Sequence, residues 1–126
     1  MAALVFDSGA LIALERGDRA IAALLATAVR SGAEAVTSTA CVAQVWRNPA
    51  RQARLARALA GFLERDLDAA RARDCGALLA RSGTRNIADA AVVLLVDDGD
   101  TILTSDPRDV ERLLDAAGTR ARIRAV

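Results

Sequence analysis

Four aspartates stand where carboxylates could do chemistry. Asp7 directly follows a short apolar run, Ala3 to Phe6, and Asp106 closely follows another, Thr101 to Thr104. Asp109 lies three residues beyond Asp106, and Asp89 is a lone charge at the start of an otherwise apolar segment, Ile87 to Val96. Such a charge should not be buried without a partner. Carboxylates brought together repel, and the usual remedy is a hard divalent cation with oxygen ligands, Mg²⁺ or Mn²⁺. Each residue also has an ordinary role open to it. Asp7 can be a loop residue, Asp89 a helix N-cap, and Asp106 with Asp109 a capping pair around Pro107 and Val110.

Composition narrows the alternatives. The 126 residues include 17 basic ones, all arginine, with no lysine and no histidine. Catalysis through a lysine, a Schiff base, a histidine base or a histidine-bound metal is therefore excluded. Carboxylates, hydroxyls, arginines and two thiols remain. Cys41 and Cys75 lack the dense or clustered spacing of a disulfide framework or zinc site, so both are expected as buried free thiols. The formal charge is only +1, and the Ala/Arg bias fits a GC-rich genome. With 2% aromatics, a nucleic-acid surface built on stacking platforms is not expected.

The elements that must position the aspartates are short. Ala3 to Phe6, Ala35 to Thr37 and Thr101 to Thr104 read as buried strands, Phe62 to Leu67 and Ile123 to Val126 as weaker ones, the last carrying Arg122 and Arg124. Helices are expected over Ala10–Arg16, from Asp18 to Ser31-Gly32, from Ser38 or Thr39 through Trp46, and onward from Pro49. Others are expected from Asp68 to about Arg81, Ile87 to Val96, and Pro107 to Ala117. Strands alternating with helices make an α/β fold with a mostly parallel central sheet of four to five short strands flanked by helices. A 53% hydrophobic chain of this length fits one domain, 1–126. Asp7 and Asp106 then emerge at the same sheet edge, where ligands bind at the switch in strand order. The start has no basic region, and no apolar run approaches a membrane span, so no membrane association and a cytoplasmic location are expected.

Three segments in order carry a resemblance: Phe6-Asp7-Ser8-Gly9-Ala10-Leu11-Ile12-Ala13-Leu14, Ile87-Ala88-Asp89-Ala90, and Ile102-Leu103-Thr104-Ser105-Asp106-Pro107-Arg108-Asp109-Val110. Together they resemble the opening, central and closing motifs of PIN-domain ribonucleases of the VapC toxin type, over essentially the whole chain. The resemblance implies a single PIN-like domain and a metal-dependent endoribonuclease held in check by a cognate antitoxin and commonly homodimeric. Asp7, Asp89 and Asp106 would bind Mg²⁺ or Mn²⁺, with Asp109 supporting them or a second ion. Ser8, Thr104 and Ser105 would hold ligands or phosphate oxygens by hydrogen bonds. Hydrolysis of RNA in line, leaving a 5′-phosphate, is the family's reaction.

The sequence departs from that pattern at Gln44, where the family normally places a glutamate, and Asn86 is a second candidate neutral substitution. An amide can coordinate or orient water but brings no charge and cannot act as a base. A PIN-like module that binds RNA or a partner without cutting is therefore the alternative function. Aspartyl-phosphate domains also place an Asp after their first strand but rely on a lysine, which is lacking here. Arg47, Arg51, Arg54 and Arg57 could hold RNA phosphates or form a solvated helix face. Trp46 is assigned to a core or dimer interface in preference to an RNA base or antitoxin contact.

Overall fold

Leu4–Phe6 forms β1, with all three residues buried, as a strand covered on both faces requires. The computed structural model describes residues 2–126. The other strands are β2 (Ala35–Ser38), β3 (Leu63–Arg65), β4 (Thr101–Thr104) and β5 (Arg122–Ala125). They make one sheet in the order β3-β2-β1-β4-β5, and every neighbouring pair is parallel. Val5 lies opposite Val36 on one side and Ile102 on the other.

The helices are α1 (Ser8–Glu15), α2 (Arg19–Arg30), α3 (Thr39–Val45), α4 (Ala53–Leu59), α5 (Ala69–Ser82), α6 (Ile87–Val93) and α7 (Pro107–Ala117). Crossovers between parallel strands are right-handed. The steps from β1 to β2 and from β2 to β3 run one way along the sheet, and those from β3 to β4 and from β4 to β5 run the other. The first four helices therefore cover one face and the last three the other. Accordingly α1 packs against α2, α3 and α4, while α5, α6 and α7 pack on one another. The direction reverses between β1 and β4, so a crevice opens at their carboxyl ends.

Several ends follow their local chemistry. The side chains of Asp18, Ser38 and Asp68 accept from the amides of Ile21, Ala40 and Arg71, closing orphan donors at three helix starts. Gly118 stops α7 at φ 73°, the left-handed turn that suits glycine.

The chain departs from expectation most clearly in two helices. The helix expected from Pro49 is split into a 3₁₀ turn, Pro49–Arg51, and α4, because Gln52 between them is pinned. Its buried side chain accepts the amides of Arg47 and Asn48 and donates to the Val45 carbonyl and to Glu15. Helix α6 ends at Val93, short of Val96, and starts on Asn86, whose side chain accepts the Asp89 amide at 3.0 Å. Asp89 is thus not the N-cap, and Asn86 has a structural use of its own. Strand β3 is fully exposed at the sheet edge, which explains its weak apolar signal.

The core is aliphatic, with Phe6 and Phe62 meeting edge to face at 4.9 Å. Cys41 and Cys75 are buried free thiols, as expected. Among the described residues no helix is long and apolar enough to cross a membrane.

Candidate metal centre

The parallel pairing of β1 with β4 carries Asp7 and Asp106 to one edge of the sheet. Asp7 is almost completely buried, at 1% exposure. Its backbone amide extends the ladder by donating to the Leu103 carbonyl. Its side chain caps α1, with Oδ1 accepting from Ala10 at 2.9 Å and Oδ2 accepting the Ser105 amide at 3.1 Å. The Thr104 hydroxyl also bonds to it. Burial outweighs these bonds and holds the Asp7 pKa above the usual carboxylate value.

Asp106 sits at the N-cap position of α7 but makes no side-chain cap bond. Its backbone amide donates to the Thr104 hydroxyl at 2.8 Å. The capping role open to Asp106 in the sequence is therefore not taken. Its carboxylate remains available, and Asp109 joins it from the first turn of the same helix.

Asp89 enters from α6, at 5% exposure. Its Oδ2 is buried and accepts from no donor among the described residues, an uncommon state for a buried polar atom. Burial is the largest cause pushing its pKa up to about 7, followed by the charges of Asp7, Asp106 and Asp109. One oxygen from each of Asp89, Asp106 and Asp109 lies within 4.8 Å of the others. Oxygens sharing one Mg²⁺ at about 2.1 Å stand at most about 4 Å apart, so small side-chain rotations would close the set. Hard oxygen donors, mutual repulsion and one unpartnered buried oxygen fit a divalent cation.

The expected four-aspartate set thus divides. Three cluster as possible ligands, and Asp7 lies outside that trio with both oxygens engaged by backbone amides. Thr104, fully buried, braces Asp7 and Asp106 and is not exposed to a phosphate. The Ser105 amide is committed to Asp7, while Ser105 itself is exposed. The Ser8 hydroxyl donates to Oε1 of Gln44, which is exposed on α3.

The sequence reading assigned no role to Cys41 near these acids. Its thiol lies on the Ala88 carbonyl at 3.7 Å and is pushed up to about 11, chiefly by burial, so it is a neutral packing group linking α3 to α6. No sequence signal marked it, because a thiol on a helix reads the same wherever that helix packs.

The arginines of the 47–57 stretch are not gathered at the acids. Arg47 folds back onto the carbonyls of Ala43 and Trp46. Arg51 is exposed, and Arg54 and Arg57 rim a groove of about 580 Å³ with Leu25, Val29 and Arg30. Trp46 is half-buried against the core, where it lines a cavity of about 400 Å³ with Val42 and Leu59.

No family model matches the sequence, and no curated protein matches it. A solved structure does match the fold. Over 98% of its length the chain superimposes, at a TM-score of 0.70 and 12% identity, on 98% of a chain in VapBC2 from Rickettsia felis, a crystal structure in which VapBC2 is bound to a DNA fragment from their promoter. The chain has a PIN-like fold. Its PIN-like sheet, all parallel with five strands, agrees with the architecture expected from the sequence. The acid cluster lies at the crevice that this PIN-like topology opens between β1 and β4.

Proposed function

We propose that this PIN-like chain is a metal-dependent endoribonuclease, the toxin of a toxin–antitoxin pair, hydrolysing RNA phosphodiester bonds. The observation that carries the reading is the buried, unpartnered Oδ2 of Asp89 beside Asp106 and Asp109. The fold likeness to a chain of VapBC2 supports a cognate antitoxin as partner, and the sequence resemblance adds a homodimer.

In this reading Asp89, Asp106 and Asp109 hold Mg²⁺ or Mn²⁺. The bound cation supplies positive charge against the scissile phosphate and lowers the pKa of a nearby water. The residues do the rest by position. Thr104 fixes the Asp106 backbone and Asp7 fixes Ser105, so the carboxylates are oriented before substrate arrives. Asp7 also adds negative charge next to Asp89. Water adds to phosphorus as the P–O3′ bond breaks, leaving a 5′-phosphate and a 3′-hydroxyl.

Cleavage of a mixed-sequence RNA by the purified, antitoxin-free protein tests this, with Mg²⁺ or Mn²⁺, with EDTA, and with Asp106→Asn. Asp106 suits the control because its side chain caps nothing. Cutting should require metal and vanish in the variant. A folded protein that never cuts, or a variant that cuts as well as the parent, overturns the reading.

Gln44 favours one second reading, a PIN-like module that binds RNA or a partner without cutting. Its amide oxygen is held by Ser8, where a carboxylate would add charge toward the acids. RNA binding without metal-dependent cleavage is the outcome that would select it.

A further inference from the structure

We propose that the cleft between α1 and β5 is a subsite for single-stranded RNA, in which Arg16, Arg122 and Arg124 hold backbone phosphates leading away from the acid cluster. The proposal rests on the endoribonuclease reading and adds the path of its substrate.

The cleft encloses about 490 Å³, and its lining includes Gly9, Ile12, Arg16, Gly17, Ser105 and Val126. Gly9 and Ser105 place its mouth beside the acids, since Ser105 is bonded to Asp7 and adjoins Asp106. A Cβ on Gly9 would run into the Ser105 side chain, so only glycine lets α1 and the segment after β4 meet this closely. Gly9, Ile12 and Arg16 recur along one stripe of α1. From Gly9 to Arg16 that stripe runs about 10 Å down the helix, so an exposed guanidinium stands a short way along the cleft from the carboxylates.

The opposite wall follows from strand alternation. Val126 continues β5, its amide donating to the Thr104 carbonyl at 2.9 Å, and its residue lines the cleft. Side chains two apart share a sheet face, which sets Arg122 and Arg124 on the side of Val126. Ile123 is half-buried against the core while Arg122 and Arg124 are exposed, and α7 packs against β5. Arg16 thus lines the cleft, and Arg122 and Arg124, beyond that lining, flank it on the face of β5 that Val126 shares. Asp18, also on the lining, is engaged as the cap of α2. At the far end Arg54 approaches Gly17 where a Cβ would sit, so the cleft leads toward the arginine-rimmed groove of α4.

The charge pattern favours RNA as the occupant. A chain of net charge +1 and 2% aromatics must draw a polyanion by local arginines, because stacking platforms are lacking. Guanidinium groups suit phosphate by bidentate contact.

The test is fluorescence anisotropy of a labelled single-stranded RNA in EDTA, over a salt series, with the full chain. The variants are Arg16→Ala, Arg122→Ala with Arg124→Ala, and Arg73→Ala on α5 across the sheet as a charge-matched control. Each lost phosphate contact should lower the salt slope by about 0.7. We expect a three- to tenfold loss of affinity for Arg16→Ala, a slope lowered by about 1.4 for the β5 pair, and no change for Arg73→Ala. In the presence of metal, KM should rise with kcat nearly kept. A loss equal to that of the control overturns the subsite. Cleavage with unchanged KM in the cleft variants overturns the subsite while keeping the nuclease. A parent protein that binds no RNA overturns both.

Discussion

Asp7 accepts the backbone amide of Ser105 at 3.1 Å, across 98 positions of sequence. The same carboxylate caps α1 through Ala10, so one side chain ties the end of β1 to the end of β4 at the crevice. In Asp7→Asn, one oxygen becomes an NH₂ that cannot accept, which leaves a buried amide facing a donor. Urea unfolding without metal should show a loss of roughly 1–3 kcal/mol. Unchanged stability would mean that Asp7 is not the strut described.

Asp89 should behave in the opposite sense. Its pKa is raised from 3.8 to about 7 in the folded protein. Between those values the folded state keeps a proton that the unfolded chain has released, so stability from this group is full below about pH 4 and is lost as pH rises through 7. Asp89→Asn removes that dependence. Metal-free Asp89→Asn should be more stable than the parent at pH 8, by roughly 1–3 kcal/mol, and about equal to it at pH 4. A variant less stable at both pH values would contradict the unpartnered charge.

Divalent metal should reverse the penalty. Mn²⁺ should raise the parent's Tm at pH 8, and EDTA should return it. For a thousandfold excess over Kd the gain is about 4 kcal/mol. Asp109→Asn and Asp106→Asn should lose most of it, and metal uptake near pH 6 should release protons, read by calorimetry in two buffers. Equal Mn²⁺ stabilisation in the variants would place the ion elsewhere.

Gln44→Glu adds a carboxylate bonded to Ser8. Mn²⁺ affinity should increase, by up to about tenfold for one extra ligand or supporting acid. If the parent cuts RNA well and the variant no better, Gln44 suffices as it stands. If only the variant cuts, the non-cutting reading of the parent holds.

Gly9→Ala should destabilise by about 1–3 kcal/mol, because its Cβ overlaps Ser105 Oγ and Cβ. The double change with Ser105→Gly should recover part of that loss. Additive losses would mean that the contact is not the cause.

The sequence by itself was enough to show the α/β alternation, the helix starts at Asp18 and Asp68 and at Ser38 or Thr39, and two carboxylates at one sheet edge. These follow from local rules: period, cap chemistry and the position of a residue just after a buried strand. Tertiary structure decided what each polar group then met. That Asp7 also ties α1 to the end of β4 is visible only once Ser105 and Ala10 are seen to donate to its oxygens. That Asn86 caps α6 shows only when its side chain is placed on the Asp89 amide. Gln52, unmarked in the sequence, breaks a helix because four partners, three within Val45–Asn48 and one at Glu15, converge on it. Arg16 and Val126 acquire a common cleft only when β5 is laid beside β4, since no local period relates residues over a hundred positions apart.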